Sequence, residues 1–356
     1  MQKMTFMIII IFSSFVFAWG GRGHDTLCES ATQLIENKEL KVFMTTRAHI
    51  MGHLCNIPDT SWRSVSAEAT KEGGPAHYID SDILPVSVKD IPLDINKLIT
   101  DYTGKKRANR DGEIKSIPYE LGSLWWRADQ FYRRAISEKS SFAKANVPDK
   151  KQEQEETNEF NKAVYNFFVN LGVMGHFVGD ASQPFHSTDD YDGFSKGHGG
   201  IHSYYEESIV AVLDQDLQSK IVREAKKIIS SSKKEKFLTE KTVLEKMRAL
   251  SVLSFADIDA VLKADLLKNP SITKEEHGMK IRTPAVREPI EKTIKKFEPL
   301  IIKHMARSAA LLATLWEQAY VEVGSPQLSG YRSFKYPFQP EFVVPDYYEI
   351  KNESKK

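Results

Sequence analysis

The sequence predicts an all-α protein. Three observations carry that reading: apolar residues recur at three- and four-residue spacing, period-two alternation is scarce, and one late segment keeps an apolar face over many turns. Lys3, the apolar run from Phe6 to Phe17, and the small residues Val16 and Ala18 form the three parts of a secretory leader. That run is too short for a spanning helix, so residues 1–18 are expected to be removed after Ala18 and the protein to be secreted or periplasmic. An uncleaved N-terminal anchor is the alternative. Cleavage leaves Trp19 with a free α-amine, whose pKa of roughly 7.7–8.0 lets it be offered to a metal.

His24, Leu27, Cys28, Ala31, Leu34 and Ile35 place a helix starting near His24. Cys28 and Cys55 are the two cysteines of the chain, and in an exported protein they read as one disulfide or as two buried thiols. His49 and His53 share an apolar helix face and read as core or surface histidines. Residues 81–118, with Pro85, Pro92 and "KKRANRDG", read as a surface excursion. Trp125 and Trp126 fit a core stripe better than a base-stacking platform, and "DKKQEQEETNE" fits a solvated lead-in. Further helices are expected from about Phe160 to His176 and from His202 through Leu217. Residues 218–295 carry lysine-rich amphipathic patterns, read as extra helices away from any site. The long late helix, with a structural His304, stops at Gly324–Ser325–Pro326. The tail 326–356 is rich in Pro, Tyr and Phe, and is expected to run extended over the surface of the helical domain 19–325.

The chain has 356 residues and a formal net charge of +1. It is long enough for one large domain or two small ones, and it carries no global field for a polyanion. A nucleic-acid or lipid-phosphate partner has to be held locally, by metal or by single arginines.

The densest signal is "HFVGDASQPFHSTDDYDGFSKGHGGIHSYYEE". His176 and Asp180 stand one helical turn apart, His202 and Glu206 repeat the spacing, and His186 follows the turn at Gln183–Pro184. Imidazole and carboxylate at that spacing are what zinc takes; a single such pair is more often a surface hydrogen bond, but two pairs with a histidine between them point to metal. Upstream, "CNIPDTSWR" adds Asp59 and Arg63, and "GGPAHYID" adds His77 and Asp80. With Trp19 and His24, the inventory exceeds the three or four ligands of a single zinc and points to a multinuclear site, the tool of phosphate-ester cleavage. His198, in a glycine-rich loop, is either a neighbour of the ligands or merely exposed.

In order and spacing, "WGGRGHDTLC", "CNIPD", "AHYID", "HFVGDASQPFH" and "HSYYE" resemble the zinc-dependent phospholipase C and P1 nuclease superfamily, more closely its S1/P1 nuclease branch. The likeness covers residues 19–80 and 160–212. It implies a single helical domain of that type and three zinc ions. One would be held by Asp59, His77, His176 and Asp180, a second by the amine and carbonyl of Trp19, by His24 and by Asp180, and a third by His186, His202 and Glu206. A hydroxide bridging the first two would be the nucleophile, with Asp59 orienting it and Arg63 clamping phosphate. Tyr78 would stack on a base and Asp80 would hydrogen-bond it, giving single-stranded DNA or RNA as substrate with 3′-nucleotidase-like activity. The resemblance also implies a Cys28–Cys55 disulfide. Glu206 stands where the nucleases have aspartate, and "GIHSYYE" is nearer the phospholipase C ending, so a phospholipase C acting on a phospholipid headgroup at a membrane surface is the alternative. An exported helical protein with purely structural zinc is the third.

Overall fold

The computed structural model describes residues 19–148 and 156–349; the expected leader and most of the charged stretch after Pro148 lie outside them. Helix accounts for 63% of the described residues and strand for 5%, which settles the all-α class. Among the described residues no helix is long and apolar enough to cross a membrane.

The Glu159–Asp180 helix runs through the centre. Asn158 starts it by accepting from the Phe160 and Asn161 amides, and nearly every later residue is buried. Around it pack the helices Gly20–Leu34, Ala48–Thr60, Leu124–Ile136 and Ile290–Glu322. Trp125 and Trp126 sit in this core, as their stripe predicts. Close approach is possible because Gly172, Gly175 and Gly179 share one face. A Cβ on them would meet Leu54 Cβ at 2.6 Å, Cys28 Sγ at 2.5 Å and His24 Cε1 at 3.0 Å, respectively. Cys28 and Cys55 are joined in a disulfide. The first helix begins at Gly20, a turn before His24, with Trp19 in the left-handed region at φ 45°.

The late helix starts at Ile290 and carries Pro299 within it. It ends where Gly324 (φ 93°) and Ser325 (φ 52°) turn left-handed. Beyond it the tail is extended apart from one turn at Leu328–Gly330. It is tied down by Trp62 Nε1 donating to the Pro340 carbonyl (2.8 Å), Gln130 Nε2 donating to the Val344 carbonyl (2.7 Å), and the Tyr348 hydroxyl donating to Glu72 Oε2 (3.1 Å).

Three expectations are corrected. The segment from His202 does not continue to Leu217. A helical turn at Ile201–Ser203 widens into a π-turn at Tyr204–Ile209 and ends at Val212, and a new helix runs from Leu217 to Ser230. The stop is built by Arg22, whose guanidinium donates to the carbonyls of Val210 (2.6 Å), Ala211 (2.9 Å), Leu213 (2.8 Å) and Asp214 (3.1 Å), the groups a helix end leaves unpaired.

Residues 218–295 are not all helical. After the helices Val243–Ala256 and Ile258–Ala264 the chain forms an antiparallel hairpin, Ile272–Glu276 with Met279–Thr283, around His277 (φ 53°) and Gly278 (φ 74°), which is a two-residue type I′ turn. Nor is this region remote from the site. Arg287 and His198 both pair with Asp265, and Arg287 also donates to the carbonyls of His198 (2.9 Å) and Gly199 (3.3 Å), bracing the loop that leads into His202. Finally, the excursion 81–118 buries Ile83, Ile91, Ile95, Leu98 and Ile114, so it is partly core rather than wholly surface.

Candidate metal centre

The ligand candidates come from six separate segments. His24 lies on the first helix, Asp59 at the end of Ala48–Thr60, and His77 in the turn Gly74–His77. His176 and Asp180 end the central helix, His186 follows in Pro184–Ser187, and His202 and Glu206 span the change from α- to π-geometry. All eight are buried. They converge into three groups whose ligand atoms lie within 4.8 Å of one another: His24 with Asp59 and His176; His77 with His176 and Asp180; His186 with His202 and Glu206.

Tautomers are set from behind. His176 Nδ1 donates to the Cys55 carbonyl (2.7 Å) and His186 Nδ1 to the His77 carbonyl (2.5 Å), so both Nε2 atoms carry their lone pairs into the cluster. There His176 Nε2 meets His77 Nδ1 at 2.9 Å, and His186 Nε2 meets His202 Nε2 at 2.9 Å. Asp180 approaches His77 at 3.1 Å, His176 at 3.3 Å and His24 at 3.4 Å, while Glu206 approaches His202 at 3.0 Å and His186 at 3.6 Å. Ligands at about 2.0–2.1 Å around a tetrahedral centre stand about 3.3 Å apart, which is the spacing of these atoms. Both nitrogens of His24, Asp180 Oδ1, His202 Nδ1 and Glu206 Oε1 are buried without a hydrogen-bond partner among the described residues. Buried polar atoms are nearly always satisfied, so lone pairs aimed at one another fit cations between them.

The acids and imidazoles also polarise one another. Burial disfavours charge on every group here. It holds His77 at about 4 and lowers His24, where the neighbouring His176 adds to the effect. For His186 burial is overridden by Asp180 and by Glu206, which raise it to about 9. Glu206 is likewise drawn down, against burial, to about 2 by His202 and His186, and Asp180 is held well below the usual carboxylate range by His176 and His186.

Trp19 is fully buried, with its indole donating to the Gly179 carbonyl (2.8 Å). Its backbone nitrogen lies 3.3 Å from Glu206 Oε2, at the edge of the third group. In the intact chain that nitrogen is an amide, a donor rather than a ligand. Arg63 Nη2 pairs with Asp59 Oδ1 at 2.6 Å, one turn away.

Above the cluster opens a cleft of about 300 Å³ whose walls include Arg63, Tyr78, Asp80, Phe185, Asp189 and Tyr191, with His77, His186 and His202 at its base. The Tyr78 hydroxyl donates to the Tyr119 carbonyl (2.8 Å), fixing the ring. Burial, reinforced by Asp189 and Asp82, raises the Asp80 pKa well above the usual range, which favours a neutral carboxyl able to donate.

Other histidines are accounted for elsewhere. His49 and His53 lie against Tyr336 of the tail, and His304 bridges the Tyr205 hydroxyl (2.8 Å) and Asp257 (3.0 Å) in the core. Sequence reasoning missed Gln183, fully buried and donating to Glu206 Oε2 at 2.8 Å. Its signal was the "SQPFH" turn, which Gln183 also caps by accepting the Phe185 amide on Oε1. It also missed the cleft residues Phe185, Asp189 and Tyr191, whose placement is tertiary. No family model matches the chain, and no curated protein matches it either.

Proposed function

We propose that the chain is an exported zinc-dependent phosphodiesterase of the phospholipase C/P1 nuclease type, acting on single-stranded nucleic acid. The observation that carries this reading is the convergence of three buried acid–imidazole groups, their lone pairs facing one another, at the base of an aromatic-walled cleft. Purely structural zinc sits in closed four-ligand cages, whereas His77, His186 and His202 open onto a cleft.

Asp59, His77, His176, Asp180 and His24 would hold two ions, and His186, His202 and Glu206 a third. Bound zinc supplies Lewis acidity, which polarises phosphoryl oxygens and makes water nucleophilic near neutral pH. The chain's own residues do the rest. Arg63, 28% exposed at the cleft wall, steadies Asp59 and offers its charge to the phosphoryl oxygens. Gln183 and the carbonyls of Cys55 and His77 lock the ligands in place, so no reorganisation is needed as charge develops. Tyr78 gives a base a ring to stack on, and Asp80 can exchange hydrogen bonds with its edge.

A second reading, phospholipase C, draws on Glu206 as the last ligand and on the hairpin. Ile272, Met279 and Ile281 lie on one face of it at 50%, 64% and 45% exposure, an apolar foot for a lipid surface. The deciding experiment sets denatured DNA and RNA beside phosphatidylcholine, with zinc content measured on the same protein. Hydrolysis of the single strands, lost on chelation and restored by zinc, is expected. Hydrolysis of phosphatidylcholine alone, or activity indifferent to chelation, overturns the proposal.

A further inference from the structure

Behind the metal centre lies a second cavity, of about 210 Å³, bounded by Trp62, Arg63, Thr70, Gly74, His77 and Arg127 among others. It is smaller than the roughly 300–1,000 Å³ of ordinary small-molecule pockets, and suits an ion with a little water. Thr70 and Gly74 are exposed and form its mouth, while Arg127 is fully buried at its inner end.

Arg127 is unusual for a buried cation. Nη1 donates to Gln130 Oε1 at 2.7 Å, but Nε and Nη2 are buried with no hydrogen-bond partner among the described residues. Around it stand ring faces: Phe131 at 4.9 Å, Phe342 at 5.4 Å, Trp62 at 5.5 Å and Phe177 at 5.7 Å. Such faces attract a cation, yet they give its N–H groups no oxygen to bond. Arg63, on the same cavity, has its Nη2 on Asp59, and its Nε is also buried without a partner among the described residues. Two guanidinium groups thus bring three donor nitrogens without a partner among the described residues to one small cavity. The pairing of Arg63 with Asp59 leaves Arg127 as the charge to be balanced.

We propose that this cavity binds a small tetrahedral oxyanion of the phosphate class, held by Nε and Nη2 of Arg127 and Nε of Arg63. Guanidinium is the side chain best matched to such an anion, through its planar array of donors. The site is distinct from the acid–imidazole groups, with Arg63 and His77 forming the wall between them. The phosphate group reaches it either as free inorganic phosphate or as a second phosphate of a longer substrate; only the latter source rests on the phosphodiesterase reading.

The test begins with crystals of the metal-loaded protein soaked in selenate, a sulfate-shaped anion with an anomalous signal. An anomalous peak within hydrogen-bond distance of Arg63 Nε and Arg127 is expected, and ordered water alone at saturating selenate overturns the proposal. Calorimetric titration with inorganic phosphate then compares wild type with Arg127→Met, which fills the same space without the charge. Affinity at this site should fall at least tenfold; unchanged affinity in the folded variant also overturns it. Should Arg127→Met fail to fold, Arg127→Lys keeps the charge but loses the planar fork, and is expected to bind phosphate several-fold more weakly. Neither measurement needs turnover, so both read the cavity even if the enzyme reading fails. Turnover then separates the two sources. A raised KM for a trinucleotide but not for a dinucleoside monophosphate marks a substrate phosphate, whereas relief of phosphate inhibition at unchanged KM marks the free anion.

Discussion

Asp180→Asn tests the cluster at its most shared point. The carboxylate lies within 3.4 Å of His24, His77 and His176, and Asn is isosteric, so the helix end and its packing are retained while one charge is removed. Asp180 Oδ1 faces His24 and its Oδ2 faces His77 and His176, so it would serve both ions of that half of the cluster, whereas the His186, His202 and Glu206 group does not depend on it for a ligand. Zinc content is therefore expected to fall from about three per chain to about one. The thermal signature follows from linkage. With each ion at about 100 times its Kd, loading contributes about 2.7 kcal/mol per ion, so roughly 8 kcal/mol in the wild type and roughly 2.7 kcal/mol in the variant. Phosphodiesterase activity should drop by at least about 10³-fold, since a ligand is lost as well as the electrostatic stabilisation it organises. The assay pairs elemental analysis of dialysed protein with melting curves taken with and without chelator. Zinc content held near three, or a chelation-induced Tm shift equal to that of the wild type, would refute the shared-ligand geometry.

Further outcomes follow from the cleft and from its edges. Tyr78→Ala should raise KM for single-stranded DNA about 5- to 150-fold with kcat little changed, the equivalent of one lost stacking contact of about 1–3 kcal/mol; steady-state kinetics check it. Gly122→Ala should act on the same residue from outside the cleft. Gly122 has φ 90° and its Cβ would collide with the Tyr78 carbonyl, so loss of stability together with a raised KM is expected, while KM unchanged in a folded variant would detach Tyr78 from substrate. A form retaining any extension before Trp19 should be nearly inactive, because the buried nitrogen 3.3 Å from Glu206 then stays an amide; equal rates for extended and Trp19-starting protein would remove that nitrogen from the site.

The central helix and the two one-turn pairs were legible because the helical period writes ligands and core faces alike in units of three and four. His176 with Asp180 and His202 with Glu206 needed nothing more than that spacing. What stayed hidden lies between elements. Gly172, Gly175 and Gly179 read as weak helix residues, yet they let His24 stack on His176 with ring centroids 4.1 Å apart. The hairpin escaped notice because its alternation is confined to Met279–Thr283, while Ile272–Glu276 carries a single apolar residue and both strands are exposed along their length. Arg22 looks like one charge on an amphipathic helix, although its guanidinium ends another helix far along the chain. The place of the Trp19 nitrogen beside Glu206 is likewise set by packing.

The disulfide belongs to the same logic, since Cys28 stands one turn after His24 and Cys55 one turn before Asp59. The bond therefore clamps two ligand-bearing helices a single turn from their ligands, against Gly175 of the helix that carries His176 and Asp180. Its closed loop is worth about 3–4 kcal/mol in chain entropy, so replacing both cysteines by serine should lower stability by that order. Position adds something the loop length does not. Holding His24 and Asp59 in register is part of assembling the acid–imidazole cluster, so metal binding there and helix pairing would stabilise each other. The serine pair should thus lose zinc affinity at the group formed by His24, Asp59 and His176 before it loses any at His186, His202 and Glu206. Zinc release under a weak chelator reads that order, and uniform weakening of all the ions would mean that the disulfide steadies the fold without shaping the site.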